Sequence, residues 1–513
     1  MFMLKGLIFH ATLLGFMNRY RHAVKKRQIS GVMRRMPAIN GTQLKERIRQ
    51  LKSNVWFDGQ KIKGDITEHP AFKGVIGSKA RLYDYQLAPE NLELMTYLSP
   101  LTGDRVGRSF YPPARKEDLE MRRLAAEEWA KLTGGMMGRT PDYMNTALMA
   151  LGASAEVFEG KNKLGLNVKT IYENARENDL TFSHTYVTPQ VNRSLGYFED
   201  KQKPISARVI KESSDGIYIK GARLLATQGG ITDELMVLPA GGKFIEEDYV
   251  YAFSVPSSSE NLKFVCRESF VYNESHFDHP LGSRFEEMDT IVIFDNTFVP
   301  WERVFLYKDI NAAISLFDET NFNTFLVHQT LSRQLAKSKL FLGTAQLITE
   351  TIGIGEYHHV KEKISEIICG LEMMKGLLLS SEMQAKQNKA GMMVPDANPL
   401  TVASLTFPKL YPRFVEILQL LGASGTITIP TSNDFNSDVR SDLDQYLQGA
   451  DAEAKERVRL FRLVWDMCSS AFAGRETIYE RFFFGDPARL SVGLYNQYDK
   501  KPAIQLVKDL LES

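Results

Sequence analysis

Three segments bring together the residue types that chemistry needs. The first is Gly138-Arg139-Thr140-Pro141-Asp142-Tyr143-Met144-Asn145. Thr140 suits a helix N-cap, proline is tolerated at the first helical position, and Asp142 suits the positive helix end. A helix is therefore predicted to open at Pro141, with Arg139 just before the cap and Tyr143 in the first turn. Both side chains can then face one pocket. A permanent guanidinium, a phenol and free backbone N–H groups favour an oxyanion such as a phenolate. The same spacing also fits a purely structural cap with Arg139 and Asp142 paired on the surface.

The second segment runs from Ser183 to Ser194 and holds His184, Tyr186, Gln190, Asn192 and Arg193. Polar stretches at a junction between zones often line ligand sites; an ordinary linker with a satisfied histidine is the other reading. The third group interrupts the late helices: Leu421 to Thr426, and Phe484-Gly485-Asp486-Pro487. Small residues there would let a backbone approach a bulky cofactor, although alone they are merely helix stops.

Much other chemistry is missing. No G-x-G-x-x-G follows a predicted strand and no G-x-x-x-x-G-K-[ST] occurs, which argues against Rossmann and P-loop nucleotide sites. H-E-x-x-H and G-x-S-x-G are also absent. His358 and His359 are adjacent on a predicted helix and point too far apart to chelate one ion. His276 and His279 flank Asp278 but lack further ligands nearby, so no metal site is expected. The 513 residues carry 63 Lys+Arg against 62 Asp+Glu, a balance that gives no footprint for nucleic acid. With 43% hydrophobic and 24% charged residues the chain is an ordinary globular one. Three widely separated cysteines support neither a disulfide framework nor a zinc knuckle.

The elements that must position these residues fall into zones. Residues 1–35 pair an apolar run of roughly 14 residues, too short to cross a bilayer, with a basic run. They are expected to be an upstream extension, with Met36 opening the functional chain of a cytoplasmic, non-membrane protein. Residues 36–180 are patterned as helices, clearest from Lys116 to Thr133, which Gly134-Gly135 ends. Residues 181–310 alternate as strands, with a hairpin turn at Ser213 to Gly216, strands at Asp289 to Phe294 and Thr297 to Phe305, and Pro300 marking an edge or bulge. Residues 311–513 return to long helices, Phe325 to Ile354, Val360 to Asn388 and Asp451 to Phe484, as in a helical bundle.

Read together, Gly138 to Asn145, His184 to Ser194, Asp295 to Arg303 and Phe484 to Pro487 resemble the oxygenase components of the 4-hydroxyphenylacetate 3-monooxygenase family. These are two-component, reduced-flavin-dependent phenol hydroxylases, and the resemblance runs from about Met36 to the C-terminus. It implies an α+β multidomain, acyl-CoA-dehydrogenase-like fold: a helical N-terminal domain, a central antiparallel β domain and a C-terminal four-helix bundle, usually in a homotetramer. It also implies FADH2, supplied by diffusion from a separate NAD(P)H:flavin reductase, and a small phenolic substrate hydroxylated ortho to its hydroxyl with O2 through a flavin C4a-hydroperoxide.

By that resemblance, His184 is the hydrogen-bonding base for the phenol, while Arg139 and Tyr143 position phenol and oxidant. Gln190, Val191, Asn192 and Arg193 resemble the flavin-contacting stretch, to which His184 also belongs. Thr227 is expected at the flavin, Gly485, Asp486 and Pro487 to close around it, and Pro239-Ala240-Gly241-Gly242 to cover the substrate. Two other flavoenzymes stay open. A 4-hydroxybutyryl-CoA dehydratase-like lyase would need clustered thiolates, which Cys266, Cys369 and Cys468 do not offer near Arg139. An acyl-CoA dehydrogenase-like enzyme would need a glutamate base and a tightly held oxidised flavin.

Overall fold

Local capping chemistry starts and stops the N-terminal helices in the computed structural model, which describes residues 37–189, 191, 204–239 and 247–513. Helix α1 (Gly41–Gln50) opens on a reciprocal box: Asn40 accepts from the Gln43 N–H, and the Gln43 side chain accepts from the Asn40 N–H. Leu44 and Ile48, one turn apart, bury its inner face. Pro70 opens α2 (Pro70–Leu87). Helix α3 (Lys116–Thr133) stops at Gly134, whose φ of 59° is the left-handed conformation that glycine adopts without strain.

Helix α4 (Pro141–Ala153) is buried from Pro141 through Gly152. A helix enclosed on all sides belongs in the interior. Leu148, Met149 and Leu151 are sealed there against Phe305 and Leu306 of the β region and Phe325 of the late helices. Full burial of each such side chain is worth about 1.5–3 kcal/mol. Helix α5 (Gly165–Asn178) packs beside α4.

The strands of the two larger sheets are β1 (Val55–Phe57), β2 (Gln60–Lys61), β3 (Phe182–Thr185), β4 (Arg208–Glu212), β5 (Gly216–Thr227), β6 (Glu234–Val237), β7 (Tyr251–Pro256), β8 (Leu262–Cys266), β9 (Asp289–Pro300) and β10 (Val304–Tyr307). Among the described residues, one sheet has the order β2-β1-β8-β9-β5-β4 and a second the order β10-β7-β6-β3. Most pairings are antiparallel, including the β4–β5 hairpin expected around Ser213 to Gly216. Two are parallel: β1 with β8, and β3 with β6. The expected break between Asp289–Phe294 and Thr297–Phe305 is a bulge instead. Asn296 takes φ 59° and the register slips between Asp295 and Thr297, so β9 runs on to Pro300 before a short turn of helix leads into β10.

The late helices are α6 (Phe322–Thr351), α7 (His358–Met383), α8 (Ala397–Gly422), α9 (Ala454–Cys468), α10 (Ala471–Phe482), α11 (Pro487–Gln497) and α12 (Lys501–Glu512). The stretch expected as one helix from Asp451 to Phe484 is two, because Ser470 caps a new helix by accepting from the Ala473 N–H. Helix α6 lies against α7, α8 and α3, so the bundle leans on the N-terminal helices. Among the described residues no helix is long and apolar enough to cross a membrane.

Candidate active site

Three distant stretches of chain meet at Arg139. It stands immediately before the α4 cap, as its sequence suggested, with Thr140 at the N-cap position and Pro141 first in the helix. The guanidinium carbon lies 4.1 Å from the ring centroid of Tyr143, 4.5 Å from that of Phe483 and 5.6 Å from that of Tyr479. The alternative of a surface pair with Asp142 fails. Asp142 is buried behind the helix, where it accepts from Gln329 of α6 at 2.9 Å.

Strand β3 supplies His184. Its parallel partner β6 fixes the register, with His184 opposite Met236. His184 and Tyr186 are two residues apart in extended chain and so share a face. The imidazole centroid lies 5.5 Å from both the Tyr143 and the Tyr186 rings. His184 is only 6% exposed. Burial, then the neighbouring Arg139 charge, holds its pKa well below the usual 6.5, so the ring is neutral near pH 7. Burial and the neighbouring Tyr143 push the Tyr186 phenol up to about 12, against the pull of Arg139.

Helix α10 brings in the third stretch. Arg475, Tyr479 and the following Phe483 are spaced by four and form one stripe. Arg475 grips Asp289 at the start of β9 through two hydrogen bonds, 3.0 and 3.1 Å. Burial opposes ionisation of Asp289, but Arg475 and Arg267 overcome it and hold the carboxyl well below its ordinary range. On the neighbouring stripe Glu480 takes Arg333 and Lys337, each at 2.6 Å, and Glu476 takes Lys337 at 2.7 Å. Arg333 also donates to the Gly135 carbonyl, tying this buried charge network to the loop that carries Arg139.

The guanidinium of Arg139 is one of the buried groups without a partner among the described residues. Its Nε and Nη1 are sealed from solvent and have no hydrogen-bond partner among the described residues, and the same holds for the hydroxyl of Tyr479. Buried donors without partners are costly, which marks them as ligand-facing. Thr227 sits at the end of β5; its hydroxyl donates to Asp289 at 2.7 Å and its carbonyl accepts from Ser183, next to His184. Val191 is 69% exposed and Leu225, two residues before Thr227, 58%. Unpartnered donors of Arg139 and Tyr479 among aromatic rings fit a flat aromatic ligand with polar edges.

Arg139, Tyr143 and His184 are thus brought together, and Thr227 is linked to them through Ser183. Gln190, Asn192, Arg193, Ala240 and Gly241 lie outside the described residues, as does Gly242. Gly485, Asp486 and Pro487 follow Phe483 closely; the Asp486 carboxylate caps α11 by accepting from the Ala488 N–H. Sequence reasoning passed over Phe483, Tyr479, Glu287 and Gln228. The spacing of Arg475, Tyr479 and Phe483 was a visible signal for the first two.

Known proteins resemble this chain over most of its length. The family profiles described as 4-hydroxyphenylacetate 3-hydroxylase N terminal and C terminal match residues 40–306 and 313–512. A probable 4-hydroxyphenylacetate 3-monooxygenase of Bacillus subtilis is 50% identical, over 93% of this chain and 99% of that one. The oxygenase component of 4-hydroxyphenylacetate 3-monooxygenase from Thermus thermophilus is 42% identical, over 93% and 98%. A crystal structure of such a component with FAD and 4-hydroxyphenylacetate superposes with TM-score 0.88 at 42% identity, covering 93% of this chain and 98% of that one. A 4-hydroxybutyryl-CoA dehydratase shares the fold at TM-score 0.83 with 19% identity. On these matches, the chain belongs to the 4-hydroxyphenylacetate 3-hydroxylase family.

Proposed function

We propose that this chain is the oxygenase component of a two-component, FAD-dependent monooxygenase that hydroxylates 4-hydroxyphenylacetate or a similar phenol to a catechol. The observation that carries the reading is the Arg139 guanidinium, set against Tyr143 and Phe483 with two buried nitrogens unpartnered beside a neutral His184. Reduced flavin, when bound, activates oxygen for transfer to the carbon ortho to the phenol hydroxyl.

The chain's own residues prepare the phenol. His184, neutral because it is buried, can accept the hydroxyl proton at a ring nitrogen, and Arg139 donates to the phenolate oxygen left behind. Holding the charge on that oxygen enriches the ortho carbon in electron density. Tyr143 and Tyr186 flank the imidazole and fix its plane, while Phe483 seals one side against water. Thr227 and Val191, with Gln190, Asn192 and Arg193, are the residues we assign to the flavin. We assign Gly485 to Pro487 to closing around it, and Ala240 and Gly241 to covering the substrate.

Residues 36–180, 181–310 and 311–513 are proposed as its three domains, with 1–35 as an extension. The reading extends to a cytoplasmic homotetramer served by a separate NAD(P)H:flavin reductase through flavin diffusion. Support for self-association comes from α12, whose Ile504, Leu506, Val507, Leu510 and Leu511 are all more than half exposed. The test is product analysis with supplied FADH2, oxygen and a panel of para-substituted phenols. A catechol from at least one phenol is expected; peroxide alone with every phenol would overturn the reading.

A further inference from the structure

Arg139 has a carboxylate within reach that does not bind its side chain. Glu287, 0% exposed, stands just before β9. One oxygen accepts from the Gly138 N–H at 2.7 Å and the other from the Arg139 N–H at 2.8 Å. The second oxygen also accepts from the side-chain amide of Gln228 at 2.8 Å. That amide turns at the same time to the Arg139 carbonyl, 3.0 Å away. Gln228 itself is held with φ 61°, its own N–H bonded to the Met288 carbonyl at 2.7 Å. The peptide groups on both sides of Arg139 are therefore clamped by two side chains that come from the ends of adjacent strands.

The clamp solves a particular problem. A buried arginine would ordinarily pair with the nearest carboxylate and lose its capacity for a ligand. Here the carboxylate is saturated by main-chain donors and Gln228, and Arg475 faces it at 3.6 Å. Among the described residues the guanidinium is left with its Nε and Nη1 uncommitted while its backbone is held by these bonds. Lys79 is a further buried cation whose field reaches Glu287, so Arg139 is one of several cations around the carboxylate.

We propose that Glu287, acting with Gln228, is the positioning residue of the site: it fixes the Arg139 main chain and, by taking main-chain donors, keeps the guanidinium free for the phenolate. This inference rests on the hydroxylase reading, and two measurements separate them. The first is the binding of 4-nitrophenolate to the flavin-free protein, read from its visible absorption band. The second is catechol formed per FADH2 oxidised.

In Glu287→Gln the volume is kept, but an amide N–H2 must face a backbone N–H. In Gln228→Ala only the hold on the Arg139 carbonyl and the bond to Glu287 are removed. Since a misplacement of about 1 Å can cost ~10²-fold, both folded variants should bind 4-nitrophenolate about tenfold more weakly. Both should also shift FADH2 oxidation from catechol towards peroxide, with thermal melting checking that each is folded. If either folded variant binds 4-nitrophenolate and couples within twofold of wild type, the clamp has no positioning role, even though the hydroxylase reading stands. A wild type that binds 4-nitrophenolate but makes no catechol overturns the hydroxylase reading and leaves the binding comparison to decide Glu287. A wild type that binds none overturns the clamp proposal, and the hydroxylase reading then stands or falls on the phenol panel.

Discussion

At the scale of single residues, the site is a contest between desolvation and charge. His184 must be neutral to accept a proton, and burial next to Arg139 makes it so. Replacing it by alanine should lower phenol hydroxylation by about 10²-fold or more, the usual worth of general-base help. A loss under twofold would remove that role. Arg139→Ala should instead raise the share of peroxide, measured against catechol at equal FADH2; unchanged coupling would show that the guanidinium does not position the phenol. The histidine also has a stability signature. Its folded pKa lies below the unfolded value of 6.5, so as pH falls the unfolded chain takes up the proton first. Folded stability is therefore whole above the unfolded value and is lost below it. Urea unfolding of His184→Gln from about pH 7 to about pH 5 should show a shallower loss than wild type; equal slopes would mean the ring is not buried neutral.

At the scale of elements, two kinds of signal behaved differently. The start of α4 was legible because its signals are local: Thr140, Pro141 and Tyr143 lie within one turn, although Thr140 makes no side-chain cap bond. Glu287 was not, because nothing near it in sequence indicates that the start of β9 closes over Arg139; the spacing of Phe483 marks a helix stripe but not what that stripe faces. Helix α8 was hidden for another reason. Pro408 and Pro412 lie inside it, and prolines ordinarily read as breaks. What locks α10 against α6 is the buried set of Glu480, Arg333 and Lys337, whose charges hold the Glu480 carboxyl at about 2 against its burial. Glu480→Ala leaves Lys337 with Glu476 but strands the buried Arg333, and should cost about 3–5 kcal/mol, read by denaturant unfolding. A cost under about 1 kcal/mol, the worth of a surface pair, would show that α10 is held by its apolar contacts alone.

At the scale of the molecule, the order of helical, β and helical zones was readable from periodicity, since segments that long average out local exceptions. Which strands pair was not, because pairing depends on residues far apart. Assembly belongs to this scale as well. With Leu506→Glu and Leu510→Glu together, the apolar row on α12 becomes acidic, and sedimentation should show smaller particles than wild type. An unchanged mass would exclude α12 as a contact between copies. The parallel pairing of β1 with β8 has a consequence for biosynthesis. Val55 and Trp56 lie against Phe264 and Val265, so the ribosome must synthesise all of the intervening chain before the early strand meets its neighbour. Until then the nascent N-terminal strand has an open edge, and such edges recruit other chains. Limited proteolysis of stalled nascent chains should find the β1 segment cleavable until β8 has emerged, and protected afterwards.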